Sequence, residues 1–525
     1  MTGPQVYPCE ERPLPPGGPD GAEGSRWVLA ATILGSSLAF IDGSVVGVAL
    51  PAMQQSLGAS ISAMQWVVNA YTLFLAALIL VGGAAGDRFG RRKIFVGGIA
   101  VFTLASVACG LAPNDISLIV ARGVQGIGAA FLVPNSLALI SASFSGKNRG
   151  AAIGTWAGFA ALTTAFGPVL GGWLVDAFSW RSIFYINVPL ALLTIALTLA
   201  HIRESRLSDA GPPDWLGAGL VTLGLAALTY GLIEGPRLGF GSPVIVGALF
   251  GGIVLVAAFL FVERRSPAPM MPLDLFASRT FAVANLLTLL LYFAQSGALF
   301  FLPFNLIQFQ GYSAAAAGAA LLPFSLLMGL LSRSSGLLAE RYGARALMVI
   351  GPILAAAGLA WLGFTNAGGS YAFGVLPAML LLGLGMAICV PALTTGVMSA
   401  APDERAGAAS GINNAVARMA GLFAVAGLGI VALAAFDGVL ADEFARLAIP
   451  AEIQGALRDG PEFGMVILPP GIDEGIAASI EAAARDAYLQ AFRLVTLLAA
   501  ACALGGGLSA LLLHGDARPA DRERT

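Results

Sequence analysis

The 525-residue sequence predicts an all-α integral membrane protein built from two repeated helical bundles. Three observations carry that expectation. Hydrophobic residues make up 57% of the chain and charged residues only 11%, against about 25% charged in soluble proteins, so there is too little polar surface to cover a globule in water. Fourteen stretches approach the roughly 20 apolar residues that a bilayer crossing needs. A charged, glycine-punctuated turn, GDRFGRRK (Gly86 to Lys93), returns in weaker form as GLLAERYGAR (Gly336 to Arg345), with Asp87 and Glu340 lying 340 − 87 = 253 positions apart. A duplicated membrane-embedded half implies a carrier that rocks two bundles about a central site. An anchored enzyme or a receptor has no need of it.

The elements follow in order. Residues 1–26 are rich in Pro and Gly and lack the basic start and apolar core of a signal peptide, so they read as a disordered cytoplasmic tail. The crossings are expected at 27–50, 64–85, 94–112, 116–139, 151–174, 182–201, 214–234, 243–262, 280–303, 314–334, 345–364, 371–392, 407–435 and 488–513. Each is a helix because backbone groups in lipid must bond internally, and none shows the ten-residue alternation of a membrane barrel. Trp27 and Thr280 repeat the 253-residue offset of the turns, so the halves are 27–205 and 267–513, six helices each, with 206–266 inserted as a two-helix hairpin. A loop at 437–487 carries ten acidic residues against three arginines. It is expected outside, as a solvated segment, with cation attraction as the alternative. Residues 514–525 form a second cytoplasmic tail.

Basic residues set the orientation. With both termini cytoplasmic, the inside segments hold Arg88, Arg91, Arg92, Lys93, Lys147, Arg149, Arg203, Arg206, Arg264, Arg265, Arg279, Arg341, Arg345 and Arg405, whereas the short outside loops hold only Arg181 and Arg237. The four cysteines (Cys9, Cys109, Cys389, Cys502) are scattered without disulfide or zinc spacing. Two histidines at segment ends, His201 and His514, exclude a histidine metal cluster. No Gly-x4-Gly-Lys-Ser/Thr loop is present, which argues against a built-in ATP motor. No cofactor and no nucleic-acid partner are expected.

Four motifs carry chemistry. In Gly83 to Lys93 the glycines allow a tight turn, and Asp87 can pair with a nearby arginine or a helix terminus as a latch that breaks when the bundles rock. The alternative is a loop that only sets topology. The gating set is Asp87, Arg88, Gly90 and Arg91, with Glu340 and Arg341 in the second half. The turn resembles the Gly-x-Leu-Ala-Asp-Arg-x-Gly-Arg-Arg signature of the major facilitator superfamily, with Ala85 and Gly86 replacing the usual Leu-Ala. On the fourth helix, Arg122-Gly-Val-Gln125-Gly126-Ile-Gly128 is similar to the family's second motif, whose arginine is associated with proton movement. A guanidinium keeps its proton, so Arg122 must meet a wet cavity or a carboxylate, or else snorkel as a packing residue. On the fifth helix, Gly154-x3-Gly158 followed by Gly167-Pro168-Val169-Leu170-Gly171-Gly172 resembles the family's antiporter element, which implies a packed hinge at Gly158, Gly167, Pro168, Gly171 and Gly172.

The first helix reads Leu38-Ala-Phe-Ile-Asp42-Gly-Ser-Val-Val-Gly-Val-Ala-Leu-Pro51 and resembles the fourteen-helix drug:proton antiporter branch, with Ser44 and Gly47 in place of its Thr and Asn. Trp180-Arg181-Ser-Ile-Phe-Tyr-Ile-Asn187-Val-Pro189 is similar to the same branch at the start of helix six. Asp42 lies about 12 Å below the outer end of its helix and Arg122 about 9 Å below the outer end of its own, so a cross-helix pair is within reach. Such a pair is either a proton-coupling site or a static bridge. Trp66, Asn69, Gln125, Trp156, Phe159, Asn285 and Phe293 lie on helices that line the family's substrate cavity, each with packing as its alternative role. Arg418 is a candidate for binding anionic substrate groups or for locking the cytoplasmic side.

The resemblance implies the major facilitator fold and a monomeric, multi-pass protein of a bacterial plasma or inner membrane. It implies exchange of protons for drug-like or amphipathic molecules. Export of one endogenous metabolite, lipid or siderophore is the alternative within transport, and a non-transporting receptor or scaffold the alternative outside it.

Overall fold

A backbone in hydrocarbon can bond only to itself, and all the long apolar stretches fold as helices. The structure, a computed structural model, describes residues 21–207, 211, 213–266, 269–365, 369–402, 405–447 and 473–513. Among them, fourteen helical crossings are long and apolar enough to span a bilayer: α1 (Arg26–Leu57), α2 (Ile61–Phe89), α3 (Arg91–Leu111), α4 (Asp115–Ser143), α5 (Asn148–Ala177), α6 (Ser182–His201), α7 (Trp215–Leu238), α8 (Pro243–Arg265), α9 (Arg279–Phe309), α10 (Ala314–Ser332), α11 (Ala344–Leu362), α12 (Val375–Ser399), α13 (Gly407–Arg446) and α14 (Glu474–Leu512). Side-chain caps start several of them. Ser60 accepts from Ala63 N, Asn114 and Ser117 form a capping box, and Asp473 accepts from Gly475 N and Ile476 N.

Helix pairing repeats between the halves. In the first, α1 packs on α5 and α6, α4 packs on α2 and α3, and α3 packs on α6; in the second, α9, α12 and α11 make the same set of contacts with α13, α14, α10 and α11. Close approach comes from glycines at equivalent seams. A Cβ on Gly98 or Gly128 would strike the α3–α4 backbones, and one on Gly351, Gly358 or Gly385 would strike the α11–α12 backbones. In lipid, where apolar helices gain nothing from leaving water, such contacts supply the packing. The duplicated turns also agree: Gly90 (φ 112°) and Gly343 (φ 84°) both adopt the positive φ that disfavours a side chain, and they stand 343 − 90 = 253 residues apart.

Two seams dominate the meeting of the halves, and α1 adds contacts to α9 and α10. At one, α2 faces α13, and the inserted α7 packs on both, burying Leu73, Ala77, Val221, Leu225 and Leu422 in a common apolar core. At the other, α5 faces α10.

Two expectations are corrected. The helix of α1 begins at Gly21, so residues 21–26 are helical instead of tail. The loop expected over 437–487 is shorter, because α13 runs on to Arg446 and α14 starts at Glu474. Phe444 packs there on Ile480 and Ala483, with Leu440 and Ile476 against them, so an apolar helical seam continues among the acidic residues. Residues 1–20, 208–210, 448–472 and 514–525 lie outside the described residues.

Candidate functional site

The geometry centres on three side chains sealed inside the first half. Arg122 and Gln125 stand on adjoining faces of α4, and Asp42 faces them from α1. Arg122 Nη1 donates to Asp42 Oδ2 at 2.6 Å and to Gln125 Oε1 at 2.7 Å, while Gln125 Nε2 donates to Asp42 Oδ1 at 2.8 Å. The guanidinium Nε donates to the Val67 carbonyl at 3.1 Å, and the Tyr71 ring lies 4.3 Å from its centre. Asp42 and Gln125 are 0% exposed and Arg122 is 2% exposed. Gly126 makes this possible: a Cβ there would meet the Tyr71 backbone, and without one α2 comes close enough to present Val67 O to Arg122. A charge buried this deeply persists only when paired and hydrogen-bonded. Here both charges are.

The glycine-proline string of α5 packs on α1 within a turn of Asp42 and has two working faces. A Cβ on Gly167 would strike Ser44 and one on Gly171 would strike Val45, two and three residues from Asp42 on α1. One position further round, a Cβ on Gly172 would strike the Ala314 backbone, and Gly318 faces the Pro168 carbonyl. The same turn of α5 therefore touches α1 on one side and α10 on the other. Gly158 faces open space.

Taking the end with the basic loops as the inner one, the outer end is closed by contacts between the halves. Gln308 Nε2 donates to Gln54 Oε1 at 3.0 Å. Asp176, at the end of α5, accepts from Ala314 N at 3.1 Å and Ala315 N at 2.8 Å, so one half caps a helix of the other. Gln308 lies on a π-helical segment, Asn305–Phe309, that follows Pro303. A cavity of about 640 Å³ lies beside these contacts, lined by Gln55, Asp176, Gln308, Tyr312, Glu481 and Arg485 among others. Towards the inner end α5 and α10 part, leaving an apolar groove of about 340 Å³ between Phe159 and Leu162 on one side and Leu326 and Leu330 on the other.

At the inner turn, Asp87 pairs with Arg91 at 2.7 Å, and its carbonyl accepts from Leu207 N. Glu204 accepts from Arg92 N and Lys93 N at the start of α3, directly against Gly90. Arg88 stands beside Phe89. Asp87 and Arg91 bond to each other and, through their backbones, to Leu207 and Ser205 at the junction with the inserted hairpin, and the side chains of Glu340 and Arg341 lie outside the described residues.

The residues expected in a substrate cavity are dispersed. Gln125 belongs to the charge cluster. Trp66 Nε1 donates to Glu234 Oε1 at 3.1 Å, tying α2 to the inserted hairpin. Trp156 donates to Ser36 Oγ and packs edge-on against Phe40, holding α5 to α1. Asn285 is 3% exposed and accepts from Asn413, joining α9 to α13. Phe293 faces Gly427 of α13, and Phe159 lines the groove. Asn69 is buried with both amide atoms unpartnered, and Arg418 Nε is buried without a hydrogen-bond partner. Asp176, Gln54, Gln308, Glu204 and Tyr71 were not singled out by the sequence. Each acts through a partner far along the chain. The nearest signal was Asp176 ending the fifth helix.

Comparison with known proteins follows the geometry. The sequence profile of the Major Facilitator Superfamily matches residues 32–426. The multidrug resistance protein Stp of Mycobacterium tuberculosis is 39% identical over 427 residues, covering 81% of this chain and 79% of that protein. The tetracenomycin C resistance and export protein of Streptomyces glaucescens is 32% identical over 509 residues, 96% of this chain and 94% of that one. Among solved structures, a bacterial homologue of the human lysosomal transporter Spinster in an inward-facing, unoccupied conformation aligns with a TM-score of 0.62 at 18% identity, covering 94% of this chain and 98% of that chain.

Proposed function

Because the chain belongs to the Major Facilitator Superfamily, we propose that it is a proton-coupled antiporter that exports drug-like or amphipathic small molecules by alternating access. The observation that carries the reading is the sealed Asp42–Arg122–Gln125 cluster, with the α5 turn packed on α1 within one turn of Asp42. Asp42 accepts a proton only by giving up its ion pair with Arg122. That exchange loosens α1 at Ser44 and Val45, where Gly167 and Gly171 rest, and the opposite face of the same turn holds α10 through Gly172 and Gly318. A proton arriving from outside thus has a short mechanical route to the outer closure. The Asp87–Arg91 turn, braced by Glu204, serves as the inner gate, with Glu340 and Arg341 as its second-half counterparts. The protein works as a monomer in the bacterial cell membrane with both termini cytoplasmic, and it is not an enzyme.

The named relatives support export. Export of a single compound is the second reading, favoured by the relative that spans 96% of the chain and is named for one molecule. The test is uptake of rhodamine 6G into inverted vesicles with an imposed pH gradient. Accumulation that collapses when the gradient is dissipated fits the proposal. Accumulation indifferent to the gradient removes proton coupling, and no accumulation of either this dye or tetracenomycin C removes export.

A further inference from the structure

The second half carries an arginine that the protein leaves unsatisfied. Arg418 lies in the first half of α13, 418 − 407 = 11 residues from its start, and is half-buried. Its Nε is buried without a hydrogen-bond partner, and among the described residues no ion pair reaches it. Two contacts fix the depth. Gln65 of α2 donates to Val425 O at 2.7 Å, and Leu80 of α2 faces Gly411. The helices run antiparallel between these points, so the α2 turn that holds Asn69 and Tyr71 lies level with the α13 turn that holds Arg418; Asn69, one turn on from Gln65, looks towards α13, and Tyr71 looks round towards Arg122. Tyr71 Oη, Asn69 Nδ2 and Asn69 Oδ1 are all buried and unpartnered.

An unpaired guanidinium at membrane depth is costly, and native structures bear that cost where a ligand or a wet cavity meets it. Here two further unpartnered polar groups stand at the same level on α2, the Asn69 amide on the side of α13 and the Tyr71 phenol on the side of Arg122. Arg122 cannot be the remedy, since it is of like charge. Asp42 cannot be shared without opening its own cluster. A guanidinium with adjacent hydroxyl and amide donors matches a carboxylate or phenolate, which can accept several bonds at once.

We propose that Arg418, Tyr71 and Asn69 form a subsite at the interface of the two halves that binds the anionic group of an organic acid substrate. The proposal rests on the exporter reading for its physiological meaning, but binding is measurable without transport. The site bridges α2 and α13, so a ligand there holds the halves together at the level where they must rock. Its Tyr71 ring also lies on Arg122, which places the ligand one side chain from the proton cluster.

The test uses two xanthene dyes of opposite charge, fluorescein and rhodamine 6G, with the purified full-length protein in nanodiscs and fluorescence anisotropy as readout. The parent should bind fluorescein, Arg418→Gln should weaken fluorescein relative to rhodamine 6G by about tenfold or more, the scale of one charge-assisted bond, and Arg418→Lys should recover part of the loss. If Arg418→Gln fails to insert, the Arg418→Lys shift in the fluorescein-to-rhodamine ratio stands as the measurement. No fluorescein binding by the parent, or a parallel loss of both dyes, overturns the subsite. Arg418-dependent fluorescein binding without transport of either dye in vesicles keeps the subsite and sinks the exporter reading.

Discussion

Two intramembrane arginines, one in each half, meet opposite treatment. Arg122 spends its donors on Asp42, Gln125 and Val67 O, and it is sealed from solvent. Arg418 sits at the boundary of the halves with no carboxylate and an orphaned Nε. The two are not repeats of one position: Arg122 lies on α4 and Arg418 on α13, the counterpart of α5, and by the 253-residue offset they correspond to Val375 and Ala165. Asp42 has no charged counterpart either. Its counterpart by the 253-residue offset is Gln295, a neutral amide whose buried Oε1 is itself unpartnered. Duplication kept the scaffold, while each half carries its arginine on a different helix, one in a closed ion pair and one as an open cation. The first arrangement suits a proton, which breaks a pair. The second suits an anion, which completes one.

The largest effect should come from making the halves alike. Asp42→Asn leaves Arg122 as a second buried cation without a counter-charge, and breaking such a pair costs about 3–5 kcal/mol. Gradient-driven accumulation of rhodamine 6G in inverted vesicles should fall to background, with Asp42→Glu retaining part of it. If Asp42→Asn accumulates the dye against its gradient as well as the parent does, the closed pair is a static bridge and another group carries the proton.

A smaller effect should follow from cutting the link between the closed pair and the outer face. Gly172→Val puts a branched side chain against the Ala314 backbone, where nothing flexible can yield. The outer contacts Gln54–Gln308 and Asp176–Ala314 should then separate. In a background without Cys9, Cys109, Cys389 and Cys502, a cysteine at Gln308 should react several-fold faster with an impermeant maleimide added from outside. The Asp42–Arg122 cluster itself is left intact. Unchanged reactivity would mean that the α5 turn does not hold the outer end.

Much of this was legible in the sequence, for physical reasons that differ by residue. The crossings could be counted because lipid demands long apolar runs. The repeat could be found because a tight turn needs Gly90 and Gly343 at fixed phase. The proximity of Asp42 and Arg122 followed from depth alone, since two charges at one level in hydrocarbon have few partners to choose from. Gln125 as the third member did not follow, because an amide on a helix face announces no partner. Nor did Asp176 capping α10, whose cause is the relative placement of the two halves, its partner Ala314 lying 138 residues further along the chain. The extended outer ends of α13 and α14 were masked by Asp437, Glu443, Glu474 and Glu481, which pull mean hydropathy down while Phe444 and Ile480 keep helical spacing beneath them.

The smallest effect should come from a residue that stands between the two sites. Tyr71 lays its ring against Arg122, and its phenol is buried without a partner at the level of Arg418. Tyr71→Phe keeps the ring, and with it the cation–π contact of about 0.5–2 kcal/mol. It removes only an oxygen that is buried without a partner, so the folded protein loses little and its melting temperature should hold or rise slightly. The two proposed roles then separate. A lost hydrogen bond to an anion is about 0.5–1.5 kcal/mol, which predicts fluorescein affinity lower by roughly two- to tenfold. Gradient-driven rhodamine 6G transport depends on the Asp42–Arg122 exchange, which the phenol does not enter, and should change far less than fluorescein binding. Equal losses in both assays would place the phenol in the proton route, and the two arginines would have to be treated as one connected site.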